Sequence, residues 1–430
     1  MHTVAFHTLG CKVNQYDTQA MLEKFRAAGY TVVSFDGPAD VYVLNTCTVT
    51  GTGDKKSMQL ARRLRRDHPG SELVLCGCLA QRKGEELLST GARLVLGTQR
   101  RGEVVTLLEQ AVASGTQMCA VDALTQAPFE PLSIADQEEH TRAILKIQEG
   151  CNNHCTYCII PSVRGPIRSR GLAEIEQEAR RLGEAGFTEL VLTGIHLSSY
   201  GRDLPEQTTL LDAIARVQQA PGVRRIRLGS LEPTIATPAF ASALRKMDKV
   251  CPQFHLALQS GSDTVLARMA RRYNTSMYLT GVENLRREFP DAAFTTDILT
   301  GFPGETEEEY EQTREMIRRV GFAKIHVFPY SQREGTKAAA MPGQLSNAVK
   351  EARARALIAL GEEVGSQYRA RFAGRTAQVL EEEEVAPGVW AGYTPEYLRV
   401  EVADPQGAPG VYCSVRLALT AGETLQGEKM

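Results

Sequence analysis

The chain has no apolar run approaching the roughly 18–20 residues that a membrane-spanning helix requires. Its first residues, MHTVAFHTLGCK, lack the basic start and long apolar stretch of a secretory leader and read as a β-strand instead. Both absences set the expectation of a cytoplasmic protein without membrane contact. Net charge is also scarce. The 49 Lys and Arg nearly cancel the 51 Asp and Glu, leaving −2, so no global basicity points to nucleic acid. Any RNA contact has to come from local patches. No repeat of solenoid type is present. What remains is an ordinary globular composition, 43% hydrophobic and 23% charged over 430 residues, enough for two or three domains with real cores.

Residues 1–115 alternate strand and helix signals. The strand TVAFHTL precedes helical periodicity over 14–28, and the apolar runs VYVLN, ELVLC and RLVLG each precede a helical pattern. That alternation predicts a parallel sheet covered by helices, an α/β architecture. Residues 116–140 carry Pro128, Pro131 and several acids without clear periodicity, and read as a linker. A second βα series follows, with strand candidates AILKIQ, ELVLTG, RRIRLG, QFHLALQ, AFTTDIL and KIHVFPYS. Six units are fewer than the eight of a closed (β/α)8 barrel, so an open, partial barrel is expected, with chemistry at the strands' carboxyl ends. One helix should cover 347–372. Beyond it, short alternating strands with Gly and Pro turns predict a small five-stranded barrel.

Ten cysteines in a chain of this class are not expected to form disulfides. Cys119, Cys251 and Cys413 stand alone and read as small buried apolar residues. Cys151, Cys155 and Cys158 do not. In EGCNNHCTYCIIP their spacing offers three thiolates to three irons of a [4Fe–4S] cube and leaves the fourth iron open. Zinc is the rival, with His154 as the fourth ligand, but no second CxxC pair lies nearby. A further three cysteines, Cys11, Cys47 and Cys78, each stand just past the end of a predicted strand of one parallel sheet. Such ends lie together in space beside helix N-termini, which favour thiolate and anionic cluster charge. Cys76 points to the opposite face if its strand continues, and is expected to be buried rather than a ligand.

The CxxxCxxC pattern, with Tyr157 before its third cysteine and a predicted strand ahead of it, resembles the radical S-adenosylmethionine (SAM) superfamily. That resemblance implies that the amino and carboxylate groups of S-adenosyl-L-methionine chelate the open iron. Reductive cleavage then yields a 5′-deoxyadenosyl radical, with the cofactor doing the hard chemistry and the protein setting geometry. By the same resemblance, Tyr157, Thr193, Gly194, Glu232, Gln259, Ser260 and Asp297 are candidate cofactor contacts. LGCKVNQYDT, NTCTVT, GCLAQ, TTDILTGFPGET and FPYSQREGTKAA, in this order along nearly the whole chain, look like the methylthiotransferases. The resemblance implies two [4Fe–4S] clusters. The auxiliary one, on Cys11, Cys47 and Cys78, would hold the sulfur to be transferred. It implies domains at 1–118, 137–368 and 369–430, the last resembling a TRAM domain, an RNA-binding module, with Tyr393 and Tyr397 in its pattern.

The branch most resembled acts on N6-threonylcarbamoyladenosine at position 37, beside the tRNA anticodon. Isopentenyladenosine in tRNA and a ribosomal-protein aspartate are the family's other substrates, and a non-catalytic, metal-stapled RNA-binding protein is the reading from another class. The implied partners are the tRNA anticodon loop, a reduced flavodoxin- or ferredoxin-type electron donor and a sulfur donor, and the chain is expected to be a monomer. A threonylcarbamoyl group carries a carboxylate, and guanidinium groups grip carboxylates with paired hydrogen bonds. Arg164, Arg168, Arg170 and Arg333 are the candidates for that contact. The basic stretches 55–66, 224–227 and 368–375 could follow tRNA phosphates, while the acidic run at 381–384 leaves the RNA-facing side of the terminal barrel open.

Overall fold

The computed structural model describes residues 2–125, 128–134 and 141–430; the expected domain start at 137 lies outside them. The N-terminal region holds β1 (Thr3–Thr8), β2 (Thr31–Val32), β3 (Val41–Thr46), β4 (Glu72–Gly77), β5 (Leu94–Leu96) and β6 (Met118–Ala120), in the parallel order β2-β1-β3-β4-β5-β6. The near-continuous apolar runs of β3 and β4 follow from helices covering both faces. Two separate cores flank the sheet: Val4, Val43, Val74 and Leu96 on one side, Ala5, Leu44, Leu75 and Val95 on the other.

The linker expectation for 116–140 is corrected for residues 116–125 and 128–134; 126–127 and 135–140 lie outside the described residues. Met118–Ala120 is the sixth strand, paired with β5 in register, too short to carry a periodic signal. Leu132 and Ile134 pack with Tyr16, Ala20 and Ile144, and the Tyr16 hydroxyl donates to the Leu132 carbonyl at 2.6 Å.

The second series is the open barrel. Parallel strands β7 (Ala143–Glu149), β9 (Glu189–Gly194) and β10 (Arg225–Leu228) form one part, with the two-residue β8 (Arg168–Ser169) antiparallel on the outer side of β7. β11 (Gln253–His255), β12 (Ala293–Thr300) and β13 (Lys324–Pro329) form the other. Parallel bridges Ile226↔Val250 and Leu231↔Leu256 join the two parts. The barrel's single large core lies between these strands and their helices. Capping boxes start two of the helices, Thr209 with Asp212 and Thr306 with Glu309.

Helix Asn347–Ala370 leads into the C-terminal barrel, which closes in the order β14-β15-β16-β18-β17 (Thr376–Ala386, Val389–Tyr393, Arg399–Ala403, Leu425–Lys429, Tyr412–Ala418). Closure leaves no unpaired edge. This barrel is bolted to the open one. Arg225 donates to the Gln378 and Tyr393 carbonyls (2.6 and 3.1 Å), and Arg227 to Thr394 and Pro395 (3.3 and 3.0 Å). These two arginines of the 224–227 stretch are thus buried domain ties, not a free surface for phosphate. The acidic run is likewise partly consumed, Glu382 by Arg142 at 2.8 Å and Glu383 by Arg399 at 2.7 Å. Among the described residues, no helix is long and apolar enough to cross a membrane.

Candidate active site between two cysteine triads

The central cysteines sit in the loop after β7. Short backbone bonds shape it: the Cys151 amide donates to Gly165 and the Cys158 amide to Cys155, both at 3.0 Å. The Asn153 amide points at Cys151 Sγ (3.4 Å), and the Arg271 guanidinium donates to Cys155 Sγ (3.2 Å). Burial, with the Cys155 and Cys151 thiols alongside, pushes the Cys158 thiol up to about 12. Thiolates here therefore need a strong positive partner, which iron supplies while displacing the protons.

Around this loop the strand ends deliver polar groups. Glu232 lies 3.3 Å from His196 Nε2, 3.4 Å from Arg271 and 3.4 Å from the Asn153 amide nitrogen. Burial opposes its charge, but His196 and Arg271 hold the carboxyl below its usual range. Thr193 is buried at the end of β9. Gly194 is a place of close approach: a side chain there would meet the Gln148 Cβ at 2.8 Å. Gln148 in turn accepts from the His196 amide at 2.6 Å. Gln259 has φ +66° and bonds β12 through its backbone, its amide to the Asp297 carbonyl at 2.9 Å. Ser260 is fully buried, facing Thr313 at 3.4 Å. Asp297 lies 3.4 Å from His255 Nε2. Tyr157 packs edge-on to Phe302 in an apolar cluster with Val265 and Met269. His154 is exposed.

The N-terminal cysteines converge as their strand ends require. Cys11 is the N-cap of helix Lys12–Ala27, Cys47 follows β3, and Cys78 opens the short helix Cys78–Lys83. Gly10, with φ +103°, lets the chain pass Cys47; a Cβ there would sit 3.0 Å from both the Cys47 Cβ and Sγ. Burial drives the Cys78 thiol up to about 11, with the neighbouring Arg164 pulling it down and Cys11 and Cys47 adding to the rise. Cys76 is buried on the other face and takes no part, its Sγ 3.7 Å from the Leu44 carbonyl.

Neither triad is spaced for one ion. Tetrahedral zinc with bonds near 2.3 Å would hold its sulfurs about 3.8 Å apart. Among the described residues, the only three potential ligands whose donor atoms all lie within 4.8 Å of one another are Glu381, Asp404 and Cys413, in the C-terminal barrel. There Lys429, 2.5 Å from Asp404, already supplies a cation. The wider spread and the all-thiol donor sets fit a cluster better than zinc.

The four candidate arginines are all buried and each donates to the protein, Arg164 through all three nitrogens, while Arg168 keeps Nε and Nη1, and Arg170 and Arg333 keep Nε, without a hydrogen-bond partner among the described residues. Arg164 donates to Cys78 Sγ (3.1 Å), Asp17 (3.0 Å), Glu149 (2.9 Å) and the Asn14 side chain. Arg168 donates to the Arg164 carbonyl at 2.8 Å, and Arg170 to the Tyr16 hydroxyl at 3.2 Å and to Glu178 at 3.4 Å. Arg333 donates to Thr48 (2.7 Å) and Asp54 (2.6 Å). These contacts place the N-terminal domain across the barrel's opening. It is held on the β7 side through Asp17, Lys146 (2.7 Å) and Arg164, and beyond β13 through Arg333 and the Ser331 hydroxyl, which accepts from the Gly51 amide at 3.0 Å. Cys78 packs against Ile159, the residue after Cys158, so the two triads are neighbours across the domain boundary. Asn153, His196 and Arg271 are not legible as site residues: Asn153 is a variable position inside the cysteine motif, and His196 and Arg271 are single polar residues in irregular segments.

Residues 145–317 match the Radical SAM superfamily and residues 3–97 the Uncharacterized protein family UPF0004. Among solved structures, the radical S-adenosylmethionine methyltransferase TsrM from Kitasatospora setae, with cobalamin and a [4Fe–4S] cluster bound, superposes with a TM-score of 0.57 at 14% identity over 79% of this chain and 77% of that one, a likeness of fold. The threonylcarbamoyladenosine tRNA methylthiotransferase MtaB of Bacillus subtilis (strain 168) is 40% identical over 98% of this chain and 95% of its own. Its Thermotoga maritima namesake is 35% identical over 93% and 91%. With that identity sustained from end to end, the chain belongs to the family of the MtaB tRNA methylthiotransferases.

Proposed function

We propose that this protein methylthiolates C2 of N6-threonylcarbamoyladenosine 37 in tRNA, giving the 2-methylthio derivative. The observation that carries the reading is the pair of neighbouring cysteine triads, Cys78 packed on Ile159 and each triad with an arginine on one sulfur, in a chain that aligns throughout with curated MtaB enzymes. Cys151, Cys155 and Cys158 would hold one [4Fe–4S] cluster, and Cys11, Cys47 and Cys78 a second. When bound, such clusters supply reductive cleavage of S-adenosyl-L-methionine at an open iron and a sulfur for transfer, the radical chemistry that an inert aromatic C–H bond demands.

The chain's own residues do the rest. Arg271 offsets negative charge at Cys155 while holding Glu232, and Gln148 fixes the His196 backbone, so the polar groups above β9 and β10 are set before any ligand arrives. Arg164 does the same for Cys78 from across the domain boundary. A loop base can be unstacked at modest cost and brought into the space between the triads. The C-terminal barrel, read as a TRAM-like RNA module, carries Tyr393 and Tyr397, stacked 4.5 Å apart, against Arg142 and Arg227 of the open barrel. Domains at 1–118, 137–368 and 369–430, a monomeric cytoplasmic enzyme, a flavodoxin- or ferredoxin-type reductant and a separate sulfur donor complete the proposal.

The test is anaerobic reconstitution, reduction, incubation with tRNA bearing the threonylcarbamoyl modification, and nucleoside mass spectrometry. About eight irons per chain and formation of the 2-methylthio nucleoside are expected. Modification of isopentenyladenosine instead, or none with both clusters loaded, overturns the assignment.

A further inference from the structure

The four arginines that sequence offered for the substrate's carboxylate are buried, each with a protein acceptor, whereas one cation beside the site is accessible. Lys12 directly follows Cys11 and opens helix Lys12–Ala27. Among the described residues it makes neither a hydrogen bond nor an ion pair, although it is solvent-accessible and lies among groups from the two other domains. Arg142, Glu189 and Arg227 face it from the open barrel, Tyr397 from the C-terminal barrel, and His326 from β13. The charges of that wall do not balance around Lys12. Glu189 is already shared by Arg227 (2.9 Å), Arg225 (3.7 Å) and Arg142 (4.0 Å), and Arg142 also takes Glu382. The wall is otherwise shaped for a base. His326 lies 6.1 Å from His255 with near-parallel rings, in register with Asp297, and Phe328 on the same face of β13 is 44% exposed.

We propose that Lys12 is the specificity residue that receives the carboxylate of the adenine's N6 substituent. This rests on the function proposed above. Consecutive residues then serve one base: Cys11 belongs to the triad that faces the carbon to be thiolated, and Lys12 meets the anionic arm on the same purine. A point cation suffices here, because a flexible arm brings its carboxylate to the lysine and needs no planar fork.

The test compares wild type, Lys12→Gln and Lys12→Arg on two anticodon stem–loops of one sequence. One carries threonylcarbamoyladenosine and the other its carboxylate methyl ester. Wild type should prefer the acid by about 30-fold in kcat/KM, the scale of one charged hydrogen bond. Lys12→Gln should lose that preference through KM, remain within about twofold of wild type on the ester, and bind the acid stem–loop about 30-fold more weakly in an anisotropy titration without turnover. Lys12→Arg should recover most of it, with iron content equal in all three. Equal loss on both RNAs would assign Lys12 to an RNA phosphate or to S-adenosylmethionine's carboxylate, and overturn the proposal. So would a wild type indifferent to esterification, a result that stands even if Lys12→Gln fails to load iron. A wild type inactive on both RNAs overturns the function itself.

Discussion

The two cysteine triads reach similar ends from opposite beginnings. Cys151, Cys155 and Cys158 lie on one loop, fixed by backbone bonds within it, to Gly165 and, through Thr156, to Met269 and Ala338 of the same region. Cys11, Cys47 and Cys78 come from three strand ends and meet only when β1, β3 and β4 are in register. The arginines reverse the pattern. The local triad takes Arg271 from far along the chain, whereas the dispersed triad takes Arg164, which follows the central loop closely. Arg164 also binds Asp17 of the N-terminal domain and Glu149 of β7. The dispersed triad therefore depends on the sheet and on domain docking; the local one depends on neither to the same degree.

The largest effects come from breaking one triad at a time. Cys155→Ala should abolish both 5′-deoxyadenosine and product. Cys47→Ala should abolish product yet keep 5′-deoxyadenosine formation, and each variant should lose about four irons. Reductive cleavage lost equally in both would mean that the triads are not independent sites.

Next comes the tie between them. Arg164→Leu leaves Asp17 and Glu149 buried with Lys146 and Arg101 as their remaining cations, a change worth about 3–5 kcal/mol. Its melting temperature should fall markedly, and limited proteolysis should release the N-terminal domain. Arg271→Leu removes one partner of Glu232 but leaves His196 and Asn153, so it should cost clearly less stability while depressing S-adenosylmethionine cleavage. A larger melting shift for Arg271→Leu than for Arg164→Leu would reverse the comparison.

A smaller change tests the sheet alone. Val43 is fully buried between Phe6 and Val74 in the N-terminal sheet. Val43→Ala should cost about 2 kcal/mol as two lost carbons and a partly collapsed cavity. On mild heating the N-terminal iron should be lost first, with 5′-deoxyadenosine formation persisting. Simultaneous loss of iron from both triads would show that the local triad leans on the sheet after all.

These same differences explain what could be read from sequence. The local triad was legible as spacing, and the dispersed one as three strand ends, because the longer strands of the parallel sheet and open barrel announce themselves by apolar runs. The terminal barrel was legible through its alternation. What escaped were interactions between distant segments. Arg225 and Arg227 read as a basic stretch, yet they bind carbonyls of the terminal barrel. Arg164 read as a carboxylate grip and lies on Cys78 and two acids. Met118–Ala120 was hidden because three residues cannot show a period. Charge says what a side chain will bind, but only the packing of separate segments says which partner reaches it first.

The smallest expected effect separates the inner and outer faces of the N-terminal domain. Helix Gly51–Asp67 carries Lys55, Lys56, Arg62, Arg63, Arg65 and Arg66, a stretch that either follows RNA phosphates or is a solvated face. Only three of its residues are buried, Ser57, Ala61 and Leu64, so its docking rests on one narrow stripe. Arg65 is held by the Pro69 and Ser71 carbonyls, and Arg66 pairs only with its neighbour Asp67, both well exposed. Exposed pairs of this kind contribute little to stability. Arg62→Gln with Arg66→Gln should leave the melting temperature unmoved and the slope of log affinity for tRNA against log salt unchanged. Each phosphate contact to an unpaired strand would contribute roughly 0.7 to that slope. A slope shallower by that amount or more would put this outer face on the RNA and make the domain a binding surface on both sides, with the triad inside and phosphates outside.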